Sequence, residues 1–384
     1  MRFKPRTLAL GAAGLVAAGF VGGWLGAHHL RPEHIAYTKG VTAPIAPRAA
    51  PPAPQALQAR LQQLAEAYRE PVGIAVSDVA GGWTAQIAGD QTFPQQSVSK
   101  LWVALAVMQA VDEGKLALDQ QVMMRPEDRS VFYQPLTARL RGPNGFPITI
   151  ADLLRHALIE SDNSANDKLI GELGGAEAVT RVIAAKGLQG VAVGGAERDV
   201  QTRTAGLTWK PEYGRTWIFK TARAQLPDAV RDQALATYLA APPDGATPLG
   251  IVTGLSALKR GELLSGASTD FMLGLMEEAR TGAMRMHAAV PHGWTLAHKT
   301  GTGPDWRGAS VGINDVGLLT APDGRTYAVA VMIRQTTRPP SARHAIMQNV
   351  VRAVIAQWQA GQALPAEGRQ VAVTPGAPNY ARGF

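Results

Sequence analysis

Cysteine is absent from all 384 residues. Disulfides, thiolate metal sites and cysteine nucleophiles are therefore excluded together. An oxidising compartment is not excluded, because export permits disulfides without requiring them. The eight histidines form no His-x-x-x-His pair and no His-Glu-x-x-His motif, so neither a metal site nor a cofactor is expected. A glycine-rich phosphate loop is also missing. Basic residues outnumber acidic ones, 38 to 30, for a formal charge of +8. They are scattered, with no basic run and no nucleic-acid motif, so no nucleic-acid partner is expected. A field of this sign favours anionic ligands or an anionic envelope surface.

The chain is 46% hydrophobic and 18% charged, enough to bury one large core or two smaller lobes. Arg2, Lys4 and Arg6 precede 21 uncharged residues, Thr7 to Ala27, close to the roughly 20 that span a bilayer as a helix. Positive charge ahead of the span keeps the N-terminus inside and sends the rest across. Residues 1–27 thus read as a signal-anchor or signal peptide. No clean small-x-small cleavage site follows Trp24-Leu25-Gly26-Ala27, which favours an uncleaved anchor in the inner membrane. Either way the protein is expected to be exported, to the periplasm or another extracytoplasmic space. Residues 28–54 form a linker rich in Pro and Ala, with five prolines between Val41 and Pro54. The folded body is expected over 55–360, and 361–384, rich in Pro, Gly and Ala, reads as a flexible tail.

Within the body, Leu57, Leu61, Leu64 and Tyr68 recur at helical spacing. Val72–Val76 and Trp83–Ile87 read as strands around a Gly81-Gly82 turn. From Ser97 to about Leu264 the periodicity is mostly helical, and Thr149 with Asp152 resembles a capping box. Strand character returns at Trp294–Lys299, Val311–Leu319 and Tyr327–Ile333, and a last helix covers about Ala342 to Gln359. Strands at both ends of a helical middle predict a two-lobed α+β domain. Its antiparallel sheet, built from both chain ends, packs with terminal helices, and an all-helical lobe is inserted. A cleft between lobes is the natural place for a site.

Three short motifs occur in order. In Ser97-Val98-Ser99-Lys100, a Ser opening a helix lies near unpaired backbone N–H groups, and Lys100 projects from the same face. A buried amine there can take the hydroxyl proton of a nucleophile. The motif alone is cheap, since Ser256-Ala257-Leu258-Lys259 repeats it in an ordinary amphipathic helix. In Ser161-Asp162-Asn163, Ser161 offers a hydroxyl to shuttle a proton, and Asn163 an amide to bind a carbonyl or orient Lys100. Asp162 reads as a cap or turn residue. In Lys299-Thr300-Gly301, Lys299 and Thr300 suit a substrate carboxylate. Thr302 just beyond suits an oxyanion hole with the Ser97 N–H. Each motif has an ordinary structural explanation; their order and context count for more.

Over roughly Gln55 to Gln359 these motifs resemble class A serine β-lactamases, which share the set with penicillin-binding proteins. Phe93-Pro94, Ser161 to Asp167, Ala297 to Thr302 and Asn314-Asp315-Val316-Gly317 carry the likeness further. The resemblance implies a two-lobed fold, a β-lactam substrate and an acyl-enzyme on Ser97. It implies an aromatic wall at Tyr133 and a base on a loop after Ser-Asp-Asn. Trp209-Lys210-Pro211-Glu212 mimics that loop with Lys where the base belongs. Glu197-Arg198-Asp199-Val200-Gln201 fits better: Glu197 lies 34 residues after Asn163, and Gln201 supplies the water-positioning amide. The look is that of extended-spectrum members with an atypical loop. Two departures stand out. The stretch Thr202–Ala246 is longer than the family carries, and no carboxylate-binding Arg is cleanly placed, Arg307 being the nearest candidate. A D,D-peptidase acting on peptidoglycan, or an anchored β-lactam sensor that stays acylated, needs Ser97 but not Glu197. A monomer is expected.

Overall fold

The side-chain alternation of the last strand sets the architecture. The computed structural model describes residues 50–363. The predicted membrane segment, the linker before residue 50 and the tail beyond 363 lie outside the described residues. The chain opens with helix α1 (Gln55–Tyr68) and strands β1 (Val72–Asp78), β2 (Thr84–Ile87) and the short β3 (Phe93–Pro94). It then enters a helical region: α2 (Lys100–Asp112), a β4–β5 ribbon (Gln121–Met124, Phe146–Thr149), α3 (Ile150–Ile159), α4 (Asn163–Glu172), α5 (Ala176–Ala185) and α6 (Glu197–Thr204). Next come α7 (Thr216–Gln225), α8 (Asp228–Ala240), β6 (Gly245–Ala246), α9 (Pro248–Lys259) and α10 (Gly266–Glu277). It returns through β7 (Thr295–Gly301), β8 (Asp305–Trp306), β9 (Ala309–Thr320) and β10 (Thr326–Thr336) to α11 (Pro340–Ala363).

The main sheet runs β2-β1-β10-β9-β7, with β8 on β9, and every pairing is antiparallel. In β10, Tyr327, Val329, Val331 and Ile333 face one core with α1 and α11, while Ala328, Ala330 and Met332 face the other. This two-residue period follows from the pleat. Both faces being covered, β10 reads in the sequence as an almost unbroken apolar run. The second core continues from the sheet into α2, α3, α4, α5, α9 and α10, so Leu101, Leu105 and Met108 of α2 are buried on all sides. Burial on that scale stabilises by about 1.5–3 kcal/mol per large aliphatic side chain.

The two-lobed α+β fold expected from the sequence is the one observed. Boundaries differ in instructive places. The last helix runs to Ala363, past the expected stop at Gln359, and takes in the first residues assigned to the tail. Its last turn is tied down: Trp358 Nε1 and Gln362 Nε2 donate to the Asp323 carboxylate at 2.9 and 2.6 Å. Ser97 does not open α2 directly. It sits in a 3-10 turn, Gln96–Ser99, and the α-helix begins at Lys100. The long stretch Thr202–Ala246 folds as α7, α8 and a 3-10 turn at Pro211–Gly214.

Candidate active site

Three elements converge where the lobes meet. The Gln96–Ser99 turn enters from the sheet side, the α3–α4 turn from the helical lobe, and β7 forms the opposite wall. Between them lies a cavity of about 390 Å³. Ser97, Tyr133, Ser161, Asn163, Glu197, Gln201, Thr300 and Thr302 all line it. Lys100 and Lys299 lie beside it, fully buried and bonded to its lining residues. All ten site residues predicted from the sequence are thus brought together.

Lys100 is the hub. Its Nζ donates to Ser97 Oγ at 2.8 Å, to Asn163 Oδ1 at 2.9 Å and to the Glu197 carboxylate, so all three ammonium hydrogens are used. Asn163 places its acceptor by donating from Nδ2 to Val131 O at 2.8 Å. Its amide is therefore committed to orienting Lys100. The cap of α4 sets this position. Asp162 accepts from Ala165 N at 2.9 Å and from Leu136 N at 2.7 Å, as the capping role predicted for it requires.

Glu197 begins α6, and its backbone is held from below. The Asp167 carboxylate accepts from Glu197 N at 2.6 Å, Arg198 N at 3.1 Å and Ser130 Oγ at 2.6 Å. One turn along α6, Gln201 Nε2 donates to Glu197 Oε2 at 3.2 Å, the i,i+4 contact a helix allows. Burial pushes the Glu197 carboxyl up. The Lys100 charge and hydrogen bond, the Gln201 amide and Lys299 outweigh that, and the net is below its ordinary value. Glu197 is accordingly an ionised acceptor at neutral pH.

On the β7 wall, Lys299 Nζ donates to Ser161 Oγ at 2.9 Å and to Thr300 O at 3.1 Å. Burial, then the Lys100 charge, drive the Lys299 pKa well below that of a free lysine, although Glu197 opposes this. Ser161 occupies the left-handed region, φ +65, which aims its hydroxyl out of the α3–α4 turn at a cost in backbone strain.

One sequence reading needs correction. Arg307 lies outside the cavity, exposed, with Nε 2.8 Å from Asp232 Oδ1 and Nη2 2.9 Å from Oδ2. Two adjacent acidic partners on α8 hold it there. The guanidinium that lines the cavity belongs to Arg285, which donates to Gly301 O at 2.8 Å, Asn314 O at 2.6 Å and Thr302 Oγ1 at 2.6 Å. Arg285 sits in an aperiodic loop between α10 and β7, where no local pattern marks it. The duplicate motif also separates cleanly: Ser256 is buried and its hydroxyl has no partner, whereas Lys259 is exposed.

A buried ammonium joining a hydroxyl to a carboxylate beside two more cations is a site that can be acylated and can activate water. Comparison with known proteins bears on the class. A sequence model described as the β-lactamase enzyme family matches residues 56–358, and the chain belongs to that family. Among curated relatives, β-lactamase VEB-1 of Pseudomonas aeruginosa is 26% identical over 297 residues, covering 77% of this chain and 88% of that protein. Extended-spectrum β-lactamase PER-1 of the same organism is 28% identical, covering 68% and 74%. The solved structure of an ancestral class A β-lactamase, 27% identical, superimposes with a TM-score of 0.61 over 78% of this chain and 99% of that one. The protein is a class A serine β-lactamase, and neither the peptidase nor the sensor reading is favoured.

Proposed function

We propose that the β-lactam amide is hydrolysed through an ester on Ser97, with Glu197 as the base that releases it. The observation that supports this reading best is the Lys100 ammonium spanning Ser97, Asn163 and Glu197. Lys100 has no free lone pair until it passes a proton to Glu197, so the carboxylate is the ultimate acceptor. As Ser97 Oγ bonds to the lactam carbonyl carbon, its proton moves through Lys100 to Glu197. The C–N bond then breaks and the nitrogen takes a proton from Ser161, which Lys299 holds in place. The proton that Glu197 took from Ser97 passes back through Lys100 to restore the Ser161 hydroxyl, leaving Glu197 a carboxylate. The carboxylate of Glu197 then draws a proton from water, whose oxygen attacks the ester carbonyl; as the bond to Ser97 Oγ breaks, that proton returns through Lys100 to Ser97. Backbone N–H groups of Ser97 and Thr302 suit the oxyanion; one such donor typically contributes about 2.7–4 kcal/mol. The substrate carboxylate is assigned to Arg285, Thr300 and Thr302 beside Lys299, with Tyr133 as the aromatic wall.

A chromogenic cephalosporin tests this. Wild type should turn it over, and Ser97→Ala should abolish both turnover and covalent labelling. Labelling of Ser97→Ala, or wild-type labelling without turnover, contradicts the reading.

The same proposal extends to location: residues 1–27 carry the protein across the inner membrane and hold it there, with 28–54 as the spacer. Fractionation of the full chain should place it in the membrane, with a protease-accessible catalytic body on the outer side. Recovery in the cytosol contradicts this.

A further inference from the structure

The long segment after α6 reaches back to the catalytic residues through one side chain. Tyr238 of α8 is buried against Val200, Leu235 and Val311. Its hydroxyl donates to Asp244 Oδ1 at 2.8 Å and accepts from Gln96 Nε2 at 2.5 Å. Gln96 Oε1 in turn accepts from Gln201 Nε2 at 2.9 Å, and Gln201 Nε2 also donates to Glu197 Oε2. A continuous chain of bonds therefore runs from α8 to the carboxylate. Gln96 is held in the left-handed region, φ +52, and its backbone N donates to Asp244 Oδ2 at 2.7 Å. Two glycines make room for its side chain. A Cβ on Gly312 would stand 2.6 Å from Gln96 Cγ, and one on Gly303 would stand 3.0 Å from Gln96 Cδ.

We propose that Tyr238 is a positioning residue for the deacylation step, fixing the direction of Glu197 Oε2 through Gln96 and Gln201. The inference rests on the reading of Glu197 as the deacylating base. The two carboxylate oxygens are held separately, Oε1 by Lys100 and Oε2 by Gln201. Acylation uses the Lys100 side, and the Asp244 bond to the Gln96 backbone keeps the Ser97 turn in place without the tyrosine hydroxyl. Loss of that hydroxyl frees the Gln96 amide to rotate, and Gln201 follows it. Water on the Oε2 side is then misdirected while the nucleophile is not.

The test is Tyr238→Phe in the full chain, with acylation and deacylation of a chromogenic cephalosporin measured separately by rapid quench and intact mass. Deacylation should fall about tenfold, the scale of one misdirected buried hydrogen bond. Acylation should stay within about twofold, so the ester accumulates. Gln201→Met cuts the same chain at its other end and should give the same split. The double variant should be no slower than either single one, because both remove one linkage. If Tyr238→Phe does not fold, Gln96→Met, which removes the amide linking Tyr238 to Gln201 and leaves Gln201 in place, carries the test against wild type. Equal losses in both steps, unchanged deacylation, or additive effects in the double variant overturn the proposal. Glu197→Gln serves as the control. If it deacylates like wild type, the base assignment has failed; if it stalls while Gln201→Met and Tyr238→Phe do not, only the role of Tyr238 has.

Discussion

At the residue scale, what separates Ser97 from Ser256 is the fate of the lysine three positions on. Lys100 points into the interior and is bonded to three acceptors, whereas Lys259 stays in water and Ser256 is left with an unpartnered hydroxyl. The identical four-residue pattern cannot carry that distinction; only the acceptors from α4 and α6 create it. The same lesson applies to the arginines. Arg307 is close to Lys299 in sequence, but Asp228 and Asp232 draw it onto α8. Arg285 is reached only when the α10–β7 loop folds back along β7. Arg285→Ala should lower kcat/KM for carboxylate-bearing β-lactams by about 10- to 100-fold, the scale of a charge-assisted hydrogen bond. Arg307→Ala should leave it unchanged. Steady-state kinetics on folded, mass-verified protein checks both, and a reversed order contradicts the assignment.

At the element scale, the most exposed dependence is the start of α4. Asp162 caps that helix and at the same time satisfies the buried Leu136 N–H, so one carboxylate fixes the turn carrying Ser161 and Asn163. Removing it deletes a cap, worth about 0.5–2 kcal/mol, and strands a buried donor, at about 1–3 kcal/mol. Asp162→Ala should therefore destabilise the protein by about 2–4 kcal/mol in urea unfolding, and a change below about 0.5 kcal/mol would refute this reading of the turn. Elements of this kind were legible because their signals are local: the Thr149 cap is observed, its Oγ1 accepting from Asp152 N at 3.0 Å. The role of α8 was not legible. Its aromatic and acidic residues act through contacts with the Gln96 turn and the β8 hairpin, where Trp306 Nε1 donates to Asp232 at 2.7 Å and Arg231 stacks on the Trp306 ring. Such long-range pairings leave no periodic trace.

At the scale of the whole molecule, the α6 region is held by charges that work against stability. Asp167 is fully buried. Burial, then the neighbouring Glu197 charge, raises its pKa to about 6 from 3.8, despite hydrogen bonds from Ser130, Arg198 and Glu197. Between those two values the folded state keeps a proton that the unfolded chain releases. This group's contribution to stability therefore falls as pH rises through the window and is level above about 6. A shift of about two units corresponds to roughly 3 kcal/mol. In Asp167→Asn that titration is gone. The stability of the variant relative to wild type should accordingly improve by up to about 3 kcal/mol on going from the acid end of the window to neutral pH. A difference independent of pH, in thermal or urea unfolding, would contradict it. The strain is tolerated because it keeps the Glu197 backbone where Lys100 and Gln201 meet its carboxylate.

In the proposed mechanism the Glu197 carboxylate serves both steps, and the release step is the one that a single measurement tests directly. Glu197→Gln should be mixed with excess cephalosporin and followed by intact-mass spectrometry from milliseconds to hours. With the carboxylate gone, Lys100 must first lose a proton to solvent before it can take the Ser97 proton, so an adduct should still form, more slowly than in wild type. With no base for water it should persist for hours, while wild type cleared of substrate returns to its free mass at once. A variant that sheds the adduct as fast as wild type would show that Glu197 is not the group that releases the acyl-enzyme.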